Sequence, residues 1–225
     1  MPDKRVRGSQ DLNITLEGKE EIRKVNAEFL KRGCPWRVYS SSQTRAIQSA
    51  YIAVQNCESV TIMKPCPELE SWHLGGLENR PVSEVLPLIQ EMVAKKPWVV
   101  PVGMAPNSTG PGESFNAFKT RVLDKVRNIM DIFDEHPTKR ILMVTHFHVN
   151  RLIESWLAKY RGNPGIEDDM YEPTIYNEDK GRPGDLCLLR REPDRRWSFK
   201  PLNPAKYSIL PSGIYSLRHG STNLN

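Results

Sequence analysis

Two histidines and two arginines lie just beyond the ends of three strand-like segments, and they are Arg45, His146, Arg218 and His219. Ligands of an open parallel sheet bind beyond the carboxyl ends of its strands, so we expect these side chains to share one crevice. Guanidinium groups match phosphate oxygens, and a neutral imidazole can attack phosphorus. The pattern predicts phosphoryl transfer without a metal, with arginine stabilising the transferred charge.

Each of these motifs also has a simpler structural explanation. A histidine after a buried strand is often only a hydrogen-bonded structural residue, and a serine-rich turn before a helix is most often a cap. The functional prediction depends on their joint occurrence at three strand ends.

The rest of the chain alternates between helical and strand-like patterns. Apolar spacing predicts helices over Leu16–Lys31, Thr44–Gln55, Ser83–Lys95, Glu113–His136 and Val149–Tyr160. Strands are predicted over Trp36–Ser40, Ser59–Met63, Ile141–Thr145 and Gly213–Leu217, with a hairpin over Asp185–Glu192 and Trp197–Lys200. This alternation indicates one α/β domain over residues 1–225 with a largely parallel sheet.

Two stretches carry no readable pattern of their own. Arg161–Gly184 is rich in Gly, Pro, Asp and Glu, and we predict a long loop or lid there. With Pro97–Thr109, it is expected to shape the mouth of the crevice.

Composition excludes several classes of protein. The chain has 225 residues, of which 38% are hydrophobic and 26% charged, so a sizeable core is expected rather than disorder. No apolar segment approaches the ~18–20 residues of a membrane span, and Met1–Gln10 is too polar for a signal peptide. We therefore expect no membrane partner.

The net charge of +5 fits a phosphorylated partner and a mildly basic surface equally well. Lysines and arginines are scattered, without the aromatic–basic pattern of a nucleic-acid reader, so no nucleic acid is expected. The four cysteines lack C-x-x-C spacing, which argues against a disulfide scaffold or zinc ribbon and favours a reducing cytoplasm.

Five segments resemble motifs of the histidine phosphatase superfamily, the phosphoglycerate-mutase-like enzymes. Arg218–Asn225 is similar to its R-H-G-x-T-x-x-N signature and Val38–Ala50 to its S-S-x-x-x-R-A segment. The other three matches are Leu69–Glu78 with L-x-E-x-x-x-G-x-x-[EQ], Gly112–Ser114 with G-E-S, and Val144–His146 with the strand carrying the second histidine.

The resemblance implies a three-layer α/β/α fold and a phosphatase that uses neither metal nor cofactor. His219 would form the phosphohistidine, and the phosphoryl oxygens would be held by Arg218, Arg45 and His146. Three further residues are expected to bind the phosphorylated small-molecule substrate, namely Asn225, Thr222 and Ser71. His148 stands where the family has a small residue, and it either contacts the substrate as well or packs in the interior.

The order of the motifs departs from the family. There the R-H-G segment lies near the N-terminus, whereas here it closes the chain, and Arg5–Gly18 resembles the stretch that normally follows it. Joining Asn225 to Met1 would restore the usual order. We therefore predict a circular permutation, with the former termini connected through Pro201–Ser212.

A second departure concerns the proton donor. The family's glutamate would stand at position 71, where this chain has Ser71. We expect the neighbouring Glu70 to protonate the leaving group instead, with Glu78 and Glu113 as reserves, or the donor to be lost.

A chain ending at Asn225 would also place a carboxylate near the bound phosphate. At ~6 Å and an effective dielectric of ~20–40, the repulsion between two unit charges is about 1–3 kcal/mol. Lys4, Arg5 and Arg7 from the adjoining N-terminus are candidates to offset it.

Three other functions stay open at this point. The first is a phosphomutase, although the short stretch between Leu77 and Gly112 favours a phosphatase. His146-x-His148 could serve as a metal-ligand pair in a metallohydrolase, and Ser71 would fit a phosphate-binding module without activity. The oligomeric state is equally open, a homodimer included.

Overall fold

The computed structural model describes residues 5–93, 112–160, 183–194 and 196–222. Its five helices in this part of the chain are α1 (Leu16–Arg32), α2 (Thr44–Ala53), α3 (Val82–Val93), α4 (Phe115–Glu135) and α5 (Phe147–Tyr160). Its strands are β1 (Arg37–Ser40), β2 (Thr61–Ile62), β3 (Arg140–Thr145), β4 (Leu186–Arg191), β5 (Trp197–Pro201) and β6 (Gly213–Arg218).

The strands form one mixed sheet in the order β2-β1-β3-β6-β4-β5. The first four strands of that order are parallel to one another, and β4 and β5 form an antiparallel hairpin attached to β6. The predicted α/β class with a largely parallel sheet is confirmed, and so is the hairpin.

Successive residues of the central strands face opposite layers of helices, as strand geometry requires. In β3, Ile141 and Met143 pack with α4 and α5, whereas Leu142 and Val144 pack with α1 and α2. All four side chains are fully buried, so β3 is covered on both faces. The result is the three-layer arrangement that the resemblance implied.

The helix nearest the chain ends is well bounded by its own sequence. Thr15 precedes α1, and its hydroxyl accepts a hydrogen bond from the backbone of Gly18, which satisfies one free N–H of the first turn. Gly33 ends the helix with a φ of 121°, a left-handed value that favours glycine. The predicted end of α1 at Lys31 is wrong by one residue, since the helix ends at Arg32.

Cys34 and Cys57 form a disulfide that joins the end of α1 to the segment after α2. The two residues are 23 positions apart, and the packing of α1 on α2 brings their Cα atoms to 5.8 Å. Cysteine spacing did not indicate this pair because only the tertiary packing creates it. Cys66 and Cys187 are free thiols.

None of the helices in the described ranges is both long and apolar enough to cross a membrane.

Candidate active site

The register of the parallel strands places three carboxyl ends at one edge of the sheet. Ser40 of β1 pairs with Val144 of β3, and Thr145 of β3 pairs with Arg218 of β6. The backbone N–H of His219 then donates to the carbonyl of Thr145 at 3.1 Å, which extends the ladder one residue further. The structure therefore brings Arg45, His146, Arg218 and His219 to the same edge, as their sequence positions predict.

Two hydrogen bonds fix the tautomer of His219. Its Nδ1 lies 2.6 Å from the carbonyl of Gly220, which can only accept, so Nδ1 carries the hydrogen. Its Nε2 accepts from Nε of Arg45 at 3.2 Å, because a guanidinium can only donate. Burial and then the positive charge of Arg45 lower the pKa of His219 well below its usual value. The imidazole is therefore neutral, with its Nε2 lone pair turned toward the arginine.

Arg45 is almost entirely buried and is held on several sides. Its guanidinium donates to the carbonyls of Gly8, at 3.1 Å, and Gln10, and to the side chain of Gln43 at 2.7 Å. Burial, followed by the neighbouring charge of Arg7, lowers the pKa of Arg45 to about 10, so it stays charged at neutral pH. The orientation of this guanidinium is therefore set before any ligand binds.

Arg7 is a third guanidinium at the crevice. Burial, and after it the charge of Arg7, lowers the pKa values of both Arg45 and Arg218 to about 10. Arg7 is itself half-buried, and burial lowers its pKa. Three desolvated positive charges in one place favour an anionic ligand. The sequence singles out Arg7 only as a neighbour of the chain terminus, because its approach to Arg45 depends on the fold.

His146 completes the group. Its Nε2 lies 2.7 Å from the hydroxyl of Ser41, and its ring centroid is 5.0 Å from that of His219. Its Nδ1 is buried and has no hydrogen-bond partner among the described residues, so it can bind a ligand. Burial, then the charge of Arg45, lowers the pKa of His146 well below its usual value, which keeps this imidazole neutral as well.

Two helices begin beside this edge. α2 starts at Thr44 shortly after β1, and α5 starts at Phe147 directly after His146. The free N–H groups and the dipole at a helix N-terminus favour anions, so both helix ends add to the positive potential of the crevice. The predicted start of α5 at Val149 is wrong by two residues, since the helix begins with the aromatic Phe147.

The crevice holds a neutral imidazole, a second histidine and several arginines. A comparison of the chain with models of protein families agrees with this chemistry. The model of the histidine phosphatase superfamily (branch 1) matches residues 2–165, more than half of the chain. The chain belongs to the histidine phosphatase superfamily.

A curated relative of this chain is the phosphoglycerate mutase-like protein 4 of Arabidopsis thaliana. The two are 25% identical over 152 residues, which is 66% of this chain. The chain spans 62% of the length of that relative.

Solved structures show the same fold at low sequence identity. The alpha-ribazole phosphatase from Shigella flexneri has a TM-score of 0.60 and 17% identity, with 92% of this chain and 90% of that one covered. A phosphoserine phosphatase mutant from Entamoeba histolytica, in complex with phosphoserine, has a TM-score of 0.59 and 14% identity, with 92% and 91% covered. For Bacillus stearothermophilus YhfR the values are 0.57 and 18%, with 86% and 85% covered.

The carboxylate of Glu70 lies next to the crevice. It accepts a hydrogen bond from Ser42, and its second oxygen lies 3.4 Å from Nε2 of His73. The hydrogen bond to His73 is the largest cause that lowers the pKa of Glu70, and Ser42 acts in the same direction. His73 is the residue here that sequence reasoning missed, since its spacing to the other histidines carries no ligand pattern.

Arg121 of α4 holds the loop that carries Glu70. Its guanidinium donates to four carbonyls of the loop, at 3.0–3.3 Å, namely those of Pro67, Glu68, Glu70 and Ser71. The same group makes a bidentate ion pair with Glu113 at 2.6 and 2.8 Å. Glu113 therefore supports the loop, and Ser71 contributes a buried carbonyl to it.

Glu78 is used elsewhere in the fold. Its Oε1 accepts hydrogen bonds from the backbone N–H groups of Ser9 and Leu74, at 2.8 and 2.9 Å, and the residue is 4% exposed. This carboxylate joins the N-terminal segment to the loop before α3, which is a structural task. A reserve role as proton donor does not fit these contacts.

The remaining predicted substrate contacts differ in surroundings. His148 lies among aromatic rings, 6.2 Å from Trp72 and 5.4 Å from Phe147, and burial lowers its pKa to about 4. Thr222 is buried, and its hydroxyl has no hydrogen-bond partner in the described ranges.

The described residues contain no cluster that could hold a metal ion. The predictions on Asn225, Lys4 and Pro97–Thr109, and nearly all of Arg161–Gly184, lie outside them.

The buried neutral histidines predict acid sensitivity of the fold. The pKa values of His146, His148 and His219 are lower in the folded chain than the ordinary 6.5, so the unfolded chain binds protons more readily. The free energy of unfolding is then highest above about pH 6.5. It falls as the pH drops toward the pKa values of the folded chain, by up to ~1.4 kcal/mol per pH unit for each group. Urea unfolding at pH 7.5, 6.0 and 5.0 should show this loss; a free energy that rises on acidification would contradict it.

Close packing of two glycines sets the position of the loop after β6. A Cβ on Gly18 would lie closer than 3.0 Å to the backbone of Ser221, and one on Gly220 equally close to the carbonyl of Gly18. Alanine normally stabilises a helix relative to glycine, by ~1 kcal/mol. Here Gly18→Ala is expected to destabilise the chain by about 1–3 kcal/mol, because the backbone of the loop must move.

Thermal unfolding of Gly18→Ala beside Lys24→Ala tests this expectation. Lys24 is exposed on the same helix, and its replacement should change stability by less than ~0.5 kcal/mol. Equal or higher stability of Gly18→Ala would show that the contact is not tight.

Proposed function

We propose that this chain is a metal-independent phosphatase that hydrolyses a phosphate monoester of a small molecule through a phosphohistidine on His219. The observation that supports this most directly is the protonation pattern of His219. Its Nδ1 is occupied by the carbonyl of Gly220, so the Nε2 lone pair becomes the nucleophile once Nε of Arg45 turns from it to the phosphoryl group.

In the first step, Nε2 of His219 attacks phosphorus while the bond to the leaving oxygen breaks. Arg45, Arg218 and Arg7, with His146, stabilise the negative charge of the phosphoryl oxygens. Glu70 gives a proton to the leaving oxygen, as its place beside Ser42 permits. In the second step, water attacks the phosphohistidine and loses its proton to Glu70, which releases phosphate and restores the neutral imidazole.

We further infer the circular permutation. β6 is the last strand in sequence, yet it lies in the sheet between β3 and β4. Both the N–H and the hydroxyl of Thr15 donate to the carbonyl of Ser221, at 2.9 and 3.1 Å. These contacts between segments from opposite ends of the chain support a family order in which Arg5–Gly18 follows the R-H-G segment directly.

Two other properties stay predictions. The absence of a nucleic-acid partner is one, and a location in a reducing cytoplasm is the other. The Cys34–Cys57 disulfide counts against the second.

Trapping the intermediate tests the proposed reaction. The protein is incubated with an aryl phosphate, and with a panel of phosphorylated metabolites, in the presence of EDTA. Released phosphate is measured, and a sample is quenched in alkali, which preserves phosphohistidine, for mass spectrometry of the peptide containing His219. We expect phosphate release and phosphorylation of His219.

Three results would change the proposal. Loss of turnover with EDTA would point to a metallohydrolase. Movement of the phosphoryl group within a substrate without release would make the chain a mutase. Neither release nor transfer from any compound would leave a phosphate-binding module.

A further inference from the structure

We propose that His73 is a positioning residue for Glu70 and holds the proton that Glu70 passes to the leaving group. This inference rests on the proposed phosphatase function. It assigns the acid of that reaction to a pair of side chains rather than to one carboxyl group.

Glu70 lies between the crevice and His73. One of its oxygens accepts from Ser42, which follows the Ser41 that contacts His146 in the crevice. The other oxygen faces Nε2 of His73 at 3.4 Å. The carboxylate thus has one oxygen on the serine turn beside His146 and the other on the imidazole of His73, an arrangement that a two-member proton relay requires.

His73 differs from the other histidines near the crevice in its access to water. Its side chain is 39% exposed, whereas His146 and His219 are 2% and 3% exposed. It lines an open cleft of about 430 Å³, together with Glu70, Glu113 and Arg121. A side chain with this access can exchange its proton with solvent before a substrate binds, whereas the buried histidines cannot.

The charges around the pair favour a proton on His73. His73 faces Glu70, and the carboxylates of Glu113 and Glu78 also act on it; the pKa of His73 is raised, with the hydrogen bond to Glu70 as the largest cause. Glu70 faces His73 and Ser42, with the charge of Arg121 acting on it, and its pKa is lowered. A proton held by the pair therefore resides on the imidazole of His73 rather than on Glu70, and a carboxylate by itself has no proton to give.

The proton then moves in a balanced sequence. Nε2 of His73 gives its proton to the carboxylate of Glu70, and Glu70 gives one to the leaving oxygen as the bond between that oxygen and phosphorus breaks. His73 is left neutral and Glu70 ionised. When water attacks the phosphohistidine, its proton returns through Glu70 to His73, which restores the pair.

The test compares His73→Gln with wild type on two substrates at matched pH. Glutamine keeps an N–H that can reach Glu70 but has no proton to transfer near neutral pH. Removal of general acid help typically lowers rates by ~10²–10⁴-fold, so an alkyl phosphate, whose leaving group needs the proton, should lose at least ~10-fold in kcat. A nitrophenyl phosphate, whose leaving group departs as an anion, should lose less than about threefold.

The pH profile gives a second readout. Wild-type activity on the alkyl phosphate should fall as the pH rises through the raised pKa of His73, above its ordinary value of 6.5, because the imidazolium is lost. This alkaline limb should be absent in His73→Gln. The double variant Glu70→Gln/His73→Gln should be no slower than either single variant, because both belong to one relay.

His136→Gln is the matched control, since His136 lies at the end of α4 and packs against Trp36, away from the crevice. Equal losses on both substrates, an unchanged alkaline limb, or no loss at all would each overturn the role of His73. No turnover of either substrate by wild type would instead overturn the proposed phosphatase function, so the two failures are distinguishable.

Discussion

His219→Ala is expected to lower phosphate release from an aryl phosphate by at least ~10³-fold, because the substitution removes the proposed nucleophile itself. An aryl phosphate is the right substrate, since its leaving group needs little acid help and the loss then reports on the attack at phosphorus. The neighbouring Arg45 loses one acceptor but keeps its bonds to the carbonyls of Gly8 and Gln10, so the crevice should retain its shape. Two measurements test this: the initial rate of phosphate release, and the loss of phosphorylation in the peptide containing residue 219.

His136→Ala is the control for the removal of a histidine as such. It should leave the rate of phosphate release within about twofold, since its ring contacts Trp36 and not the crevice. Circular dichroism and thermal unfolding of both variants separate a lost nucleophile from a lost fold. A folded His219→Ala protein within tenfold of the wild-type rate would contradict the proposed mechanism.

Arg45→Lys is expected to lower kcat/KM by ~10²–10³-fold, corresponding to about 2.7–4 kcal/mol of transition-state stabilisation. The charge is retained, but a lysine ammonium has no planar fork and cannot reproduce the fixed orientation that Gly8, Gln10 and Gln43 give to the guanidinium. Steady-state kinetics on the same aryl phosphate measure the effect. The loss should appear in kcat as well as in KM, because the interaction strengthens in the transition state.

Arg23→Lys provides the matched control on an exposed arginine. Its ion pair with Glu20 lies at the surface of α1, where such pairs contribute ~0–1 kcal/mol to stability. Neither activity nor stability should change appreciably there. If Arg45→Lys behaves like Arg23→Lys, a positive charge at position 45 is sufficient for activity, and the fixed orientation of the guanidinium is not required.

The elements that position this site could largely be predicted from local sequence. The periodicity of Phe118, Val122, Val126 and Ile129 fixes the buried face of α4, and its predicted limits lie within two residues of the observed ones. Prediction is poorer at the edge of the sheet. The strand expected over Ser59–Met63 pairs only at Thr61–Ile62, because an edge strand has one partner and Ser59 adopts a φ of 57°.

The parts that could not be predicted depend on contacts between distant segments. The tautomer of His219 is set by the carbonyl of the adjacent Gly220 together with a guanidinium 174 positions away. The approach of Arg7 depends on how the N-terminal segment folds back. Glu78 is indistinguishable in sequence from a free acid until the N–H groups of Ser9 and Leu74 surround it. Local patterns thus predict the elements, whereas protonation and charge emerge from tertiary structure.

The placement of β6 has a consequence for synthesis on the ribosome. The strand is flanked by β3 and β4 in the finished sheet, yet it is the last of the described strands to be translated. Until it emerges, neighbouring edges of β3 and β4 lack their partner, and exposed apolar edges of this kind invite association with other nascent chains. The proposed nucleophile and the strand that closes the hydrophobic interior thus arrive together, so we expect a chain that stops short of this strand to be both inactive and incompletely folded.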